Sequence, residues 1–176
     1  MTGVRRVIAG TGGSPGSLAA LRYAEVLARA HEAALIPVLA WTPPVAERYA
    51  YPQQEWRDRA WQRMQEALLA VWGKIPAGPL VRLQVEQGPA GWVLVRVARQ
   101  PSDLLVIGAG RRGPLRRMTH SSVSRYCAAR ARCPVVLVPP PELAREARLR
   151  RIARDLTHRT LTAERVLREV DQSAAG

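Results

Sequence analysis

Two short, uninterrupted apolar runs, Leu104-Leu105-Val106-Ile107 and Val135-Val136-Leu137-Val138, constrain the fold of this chain more than any other feature. A strand that is apolar at every position must be covered on both faces, as a parallel strand between two helix layers is. Between the runs lie a loop with Gly108, Gly110 and Gly113 and a stretch that reads as a helix, which Ser121 or Ser122 can cap. The second run is ended by Pro139, Pro140 and Pro141. A loop that leaves a strand and feeds a helix N-terminus is where α/β proteins hold phosphates. Arg111, Arg112, Arg116 and Arg117 make this loop basic and suit it to an anion.

The same alternation runs back to the start of the chain. Val4 to Ala9 reads as a first strand, followed by a turn from Gly10 to Gly16. Ser17 can cap a helix reaching about Ala30, with Leu18, Leu21, Ala24, Val26 and Leu27 as its buried stripe. Ala34 to Trp41 is a second strand, in which Pro37 points to a sheet edge or a bulge. A loop with Tyr49 and Tyr51 precedes a helix from about Glu55 to Trp72. Trp61, Met64, Leu68, Val71 and Trp72 recur there at helical spacing, which fits a core stripe better than a ligand lid. Val81, Leu83 and Val85 alternate with polar residues as a half-buried strand, and Gly88-Pro89 opens a helix to about Gln100 that buries Trp92 or Val93, Leu94 and Val97. Five strands alternating with helices predict a doubly wound α/β domain: a five-stranded, mainly parallel sheet with helices on both faces. In such a sheet the turn after the first strand and the loop after the fourth should meet beyond the C-terminal strand ends, where ligands bind.

Composition narrows the partners. The 176 residues are 47% apolar, enough for a core, and no apolar run approaches the roughly 18 residues that span a membrane. Arg5-Arg6 precede an apolar stretch, but glycines interrupt it at once, so no signal peptide is expected and a cytoplasmic protein is the simplest reading. The net charge is +13, carried by arginine, with Lys74 the one lysine. Along the sequence the arginines are not interleaved with aromatics into a stacking platform, which argues against nucleic acid as a partner. Cys127 and Cys133 read as reduced packing residues, and His31, His120 and His158 are too scattered to complete a metal site.

After the three prolines the composition shifts, which divides the chain into an α/β domain over residues 1–140 and a helical extension over 141–176. Leu149, Ile152 and Leu156 form one apolar seam of the extension, and Leu161, Val166, Leu167 and Val170 another. Such narrow seams fit either a helical appendage folded back on the domain or a contact with a partner protein.

Three stretches together resemble the universal stress protein family, over roughly Val4 to Pro139. VIAGTGGSPGSLAALRYAEVLA resembles its opening strand, turn and first helix; QGPAGWVLVRVARQPSDLLVIGA its penultimate helix and fourth strand; SSVSRYCAARARCPVVLVP its last helix and final strand. Nucleotide-binding members carry a loop of the form G-x2-G-x9-G-[ST]. Here Gly108, after Ile107, matches the first glycine, while Arg111 replaces the second and Ser121 the third. Ser122 matches the final hydroxyl position, and Val123 the valine that succeeds it in the family. The family's first turn presents an aspartate to the nucleotide, and in this chain's Gly10-Thr11-Gly12 that position is Gly12. Val38 matches a position lining the adenine pocket.

The resemblance thus implies ATP or another adenine nucleotide as the ligand class, with Gly10, Thr11, Gly12, Val38, Ile107, Gly108, Arg111, Arg112, Ser121, Ser122 and Val123 as candidate contacts. Its departures imply a degraded site. Arginine at Arg111 costs about 1–2 kcal/mol in left-handed geometry, and losing the aspartate forfeits a charged hydrogen bond of about 1.5–3 kcal/mol. It also implies a homodimer through the final strand, Val135, Val136, Leu137 and Val138. No paired carboxylates in either loop would hold magnesium, so a non-enzymatic stress-response regulator is expected, ahead of an ATP-binding switch or slow ATPase and, third, of nucleic-acid or acidic-partner binding through the arginine-rich surface. No catalytic residue is assigned.

Overall fold

The structure is a computed structural model, described over residues 3–45, 51–74, 80–109 and 123–142. Five strands and four helices alternate: β1 (Arg6–Gly10), α1 (Pro15–Ala30), β2 (Ala34–Trp41), α2 (Gln53–Trp72), β3 (Gln84–Gln87), α3 (Ala90–Val97), β4 (Asp103–Gly108), α4 (Val123–Arg130) and β5 (Val135–Val138). All strand pairs are parallel, in the order β3-β2-β1-β4-β5. The order reverses at β1, so β1 and β4 lie side by side with Ile8 opposite Leu105. The chain divides into two units, Met1–Pro140 and Pro141–Gly176. Apart from its first residues the second unit, with both predicted apolar seams, lies outside the described residues.

The period-two alternation of strand side chains sorts the core into two layers. Val7 and Ala9 of β1, Leu35 and Leu39 of β2 and Leu104 and Val106 of β4 face one side with α1 and α2. Ile8, Ile36, Val38, Leu105 and Ile107 face the other, with Val93 and Leu94 of α3 and Cys127 of α4. Continuous apolar strands are required because both faces are covered, which is what the runs in β4 and β2 encode.

Several local expectations are corrected. The cap of α1 is Ser14, not Ser17: its Oγ accepts the Ser17 N–H at 3.2 Å, and Pro15 starts the helix where a missing N–H costs nothing. The buried stripe of α1 is Ala20, Leu21, Ala24 and Ala28, while Val26 is exposed. Small residues every fourth position let the helix lie close on the sheet, and that decides the stripe over side-chain size. Pro37 sits in neither an edge nor a bulge, since β2 pairs with both β1 and β3. Its odd-numbered neighbour Leu35 bonds towards the β3 side, to the Leu80 carbonyl and the Arg82 N–H. Pro37 points the same way and has no N–H to offer, so the pairing breaks into an isolated Leu35–Val81 bridge and a ladder that resumes at Val38–Gln84. That break shortens β3 relative to the predicted Val81–Val85 strand. In α3 it is Val93, not Trp92, that is buried, and the helix ends at Val97.

At the N-terminal ends of β1 and β4, Arg6 grips Asp103 through two bonds, Nε to Oδ1 at 2.7 Å and a terminal nitrogen to Oδ2 at 2.6 Å. Arg6 also donates to the Val97 carbonyl, and Asp103 accepts the Gln100 N–H. The Asp103 side chain is wholly buried, so this pair is tolerable only because the carboxylate is met by both the guanidinium and a backbone N–H.

Candidate functional site

The candidate site lies where the turn after β1 meets the end of β4. Gly10, the last residue of β1, is tightly packed: a Cβ there would stand 3.0 Å from Ile107 Cγ2 and 3.1 Å from Leu94 Cδ1, so those side chains would have to give way. Val38 is the Gly10 partner in β2, and both Val38 and Ile107 are buried in the layer under α3. Thr11 is buried as well. Its N–H donates to the Val38 carbonyl at 2.8 Å and its hydroxyl to the Ala9 carbonyl at 3.3 Å.

Beyond Thr11 the turn closes on itself. The Gly12 N–H donates to Ser17 Oγ at 3.2 Å, and that hydroxyl donates to the Ser14 carbonyl at 2.9 Å. The Leu18 N–H donates to the same carbonyl. The N–H groups of Thr11, Gly12, Ser17 and Leu18 are thus all bonded within the protein. Gly12 itself is exposed, with only Ser17 Oγ at 4.0 Å from where its Cβ would be.

Gly108 is fixed by the backbone rather than by open space. A Cβ there would stand 2.5 Å from the Gly16 carbonyl carbon and oxygen and 2.9 Å from the Ser17 nitrogen. The end of β4 therefore presses on the first turn of α1, and only a residue without a side chain fits between them. The Ala109 N–H then bonds the Val138 carbonyl, tying the same junction to β5. Ser14, Gly16 and Ser17 were not among the expected site residues. The Ser-Pro-Gly-Ser sequence carried the signal, as a cap residue before a helix-starting proline.

Arg111, Arg112, Ser121 and Ser122 lie outside the described residues, as do Gly110, Gly113, His120 and Tyr49. Val123 is the first residue of α4 and is exposed. Among the described residues no three His, Cys, Asp or Glu side chains group as a metal site, and no helix is long and apolar enough to cross a membrane. The aromatic residues of α2 are partly buried against the core. Trp56, Trp61 and Trp72 pack on the α1–α2 layer, and Trp72 Nε1 bonds Glu25 of α1. Both cysteines are free and buried, and burial pushes the Cys127 thiol up to about 11, with Cys133 adding to the rise.

At the sheet's edge, β5 shows a half-exposed apolar face, with Leu137 48% exposed. One side of β5 pairs with β4 and the other pairs with no strand among the described residues.

The comparisons agree with this geometry. The family model described as the universal stress protein family matches residues 3–139. The fold is similar to that of a universal stress protein crystallised in complex with cAMP, at 24% identity over 78% of this chain and 98% of that one, with a TM-score of 0.60. A universal stress protein from Lactobacillus plantarum gives 19% identity over 78% and 99% of the two chains, with a TM-score of 0.59. No curated protein sequence matches significantly. With the family model covering most of the chain and the strand order, layers and β1–β4 junction in place, the chain belongs to the universal stress protein family.

Proposed function

We propose that this universal stress protein is a non-enzymatic stress-response regulator that works as a homodimer and whose adenine-nucleotide site is degraded. The observation that carries the reading is the turn at Gly12. Where the family resemblance implies a carboxylate there is no side chain, and the Gly12 and Ser17 N–H groups are bonded to the Ser17 and Ser14 hydroxyls. Losing one charged hydrogen bond of about 1.5–3 kcal/mol weakens a nucleotide on the order of tenfold to a hundredfold. The substitutions at Arg111 and Ser121 act in the same direction. Dimerisation through β5 would cover its half-exposed apolar edge.

The alternative is an ATP-binding switch or slow ATPase. It is favoured by the retained meeting of the first turn with the end of β4, and by a relative of the same fold that was crystallised with cAMP. Calorimetric titration with ATP-Mg, ADP and cAMP separates the two. Weak or absent heat is expected from the natural protein. The triple variant Gly12→Asp, Arg111→Gly, Ser121→Gly should gain at least about tenfold in affinity. Tight, saturable binding by the natural protein would sink the degraded site.

A further inference from the structure

Among the described residues, positive charge is unevenly divided between the two faces of the sheet in a way the linear sequence hides. On the face formed by α1 and α2, residues 15–32 and 53–74 hold six Lys and Arg against five Asp and Glu, close to balance. On the opposite face, the described residues from Ala90 to Cys133 hold Arg96, Arg99, Arg125, Arg130 and Arg132 against a single acid, Asp103. Asp103 is buried beneath Arg6 and cannot offset that charge at the surface. A surface acid borders this face at Glu86 of β3, which Arg96 engages at 2.6 Å.

Aromatic rings stand among these cations. Trp92 is 45% exposed, while its neighbours Val93 and Leu94 in the same helix are buried. The Arg96 guanidinium carbon lies 4.6 Å from its ring centroid. On the neighbouring helix, Arg130 lies 5.0 Å from the Tyr126 ring in the same way. The two helices touch at Gly91, where a Cβ would come within 2.8–3.1 Å of Tyr126 atoms, so the two ring–guanidinium pairs belong to one packed surface. Trp92 is further held against Gly88, where a Cβ would be 3.2 Å from the ring.

We propose that the α3–α4 face binds single-stranded nucleic acid. Rings and guanidinium planes offer stacking surfaces that tolerate any base, and the excess of arginine meets the phosphates. Nucleic acid is favoured over an acidic protein because Trp92 is exposed, and Tyr126 half-buried, beside the cations rather than in an apolar patch. This surface covers the side of the sheet carrying α3 and α4.

Fluorescence anisotropy of labelled single-stranded oligonucleotides of about 16 nucleotides tests it on the full chain. Binding at low salt is expected, weakening as salt rises with a log–log slope of about −0.7 per phosphate contacted. The variant Arg99→Glu, Arg130→Glu, Arg132→Glu should lose at least about tenfold in affinity and flatten that slope. The variant Arg57→Glu, Arg63→Glu, Lys74→Glu changes net charge equally on the other face and should keep most of the affinity. Trp92→Ala should weaken binding about fivefold or more through lost stacking. Equal losses from both charge reversals would overturn the face assignment. So would no effect of Trp92→Ala, or binding of polyglutamate with none of oligonucleotide.

Discussion

Cys127 is the packing residue that its sequence context suggests. It is wholly buried beneath the sheet, with its Sγ near the Gly91 carbonyl. Burial favours the neutral form, so the folded-state value, about 11, stands above that of the unfolded chain. The sign follows from linkage: the stabilisation is complete below the ordinary thiol value of about 8.5 and is lost as pH rises through the folded-state value. Denaturant unfolding from about pH 8 to pH 11 should therefore show the natural protein losing more stability than Cys127→Ala does over the same span. A thiol reagent at neutral pH should label neither cysteine until the protein is unfolded. Rapid labelling of the native protein would contradict this burial.

At the scale of elements, the junction between β4 and α1 depends on one missing side chain. Gly108→Ala would place a methyl 2.5 Å from the Gly16 backbone, which cannot turn aside as a side chain can. The expected cost is about 3 kcal/mol, the upper end of overpacking penalties, read as a lower urea midpoint at unchanged slope. Gly16→Ala is the contrasting case. Its added carbon meets the Ala109 oxygen at an ordinary 3.5 Å, and alanine is the better helix former, so a neutral or slightly stabilising result is expected. The sequence made the existence of these elements plain, because apolar runs and glycine breaks mark them directly. It could not show that Gly108 is needed for backbone packing, since a glycine that admits a phosphate and one that admits a helix look alike. Nor could it pair Arg6 with Asp103 across 97 positions.

For the whole molecule, the proposed dimer and the uneven charge decide what the protein can meet. If β5 pairs with its counterpart in a second copy, Leu137→Glu places a charge on that half-exposed edge and should shift the protein to monomer. Analytical ultracentrifugation across a range of concentrations would show this, and an unchanged sedimentation coefficient would move the interface elsewhere. The dimer variant at Leu137 and the charge reversals at Arg99, Arg130 and Arg132 change different residues, so assembly and nucleic acid binding can be measured separately.

The sequence by itself determined the class of fold and the family, because strand and helix periodicity, glycine breaks and the three family-like stretches are all local in the chain. It also set glycine at position 12, where the family resemblance implies a carboxylate, a matter of identity alone. Only the tertiary structure decided that Ser17 closes the first turn, that Pro37 interrupts the pairing of an interior strand, and that Gly108 fits against α1. It alone brought Trp92, Tyr126 and their arginines onto one face. Those properties depend on distances between residues far apart in the chain, and the folded backbone sets them.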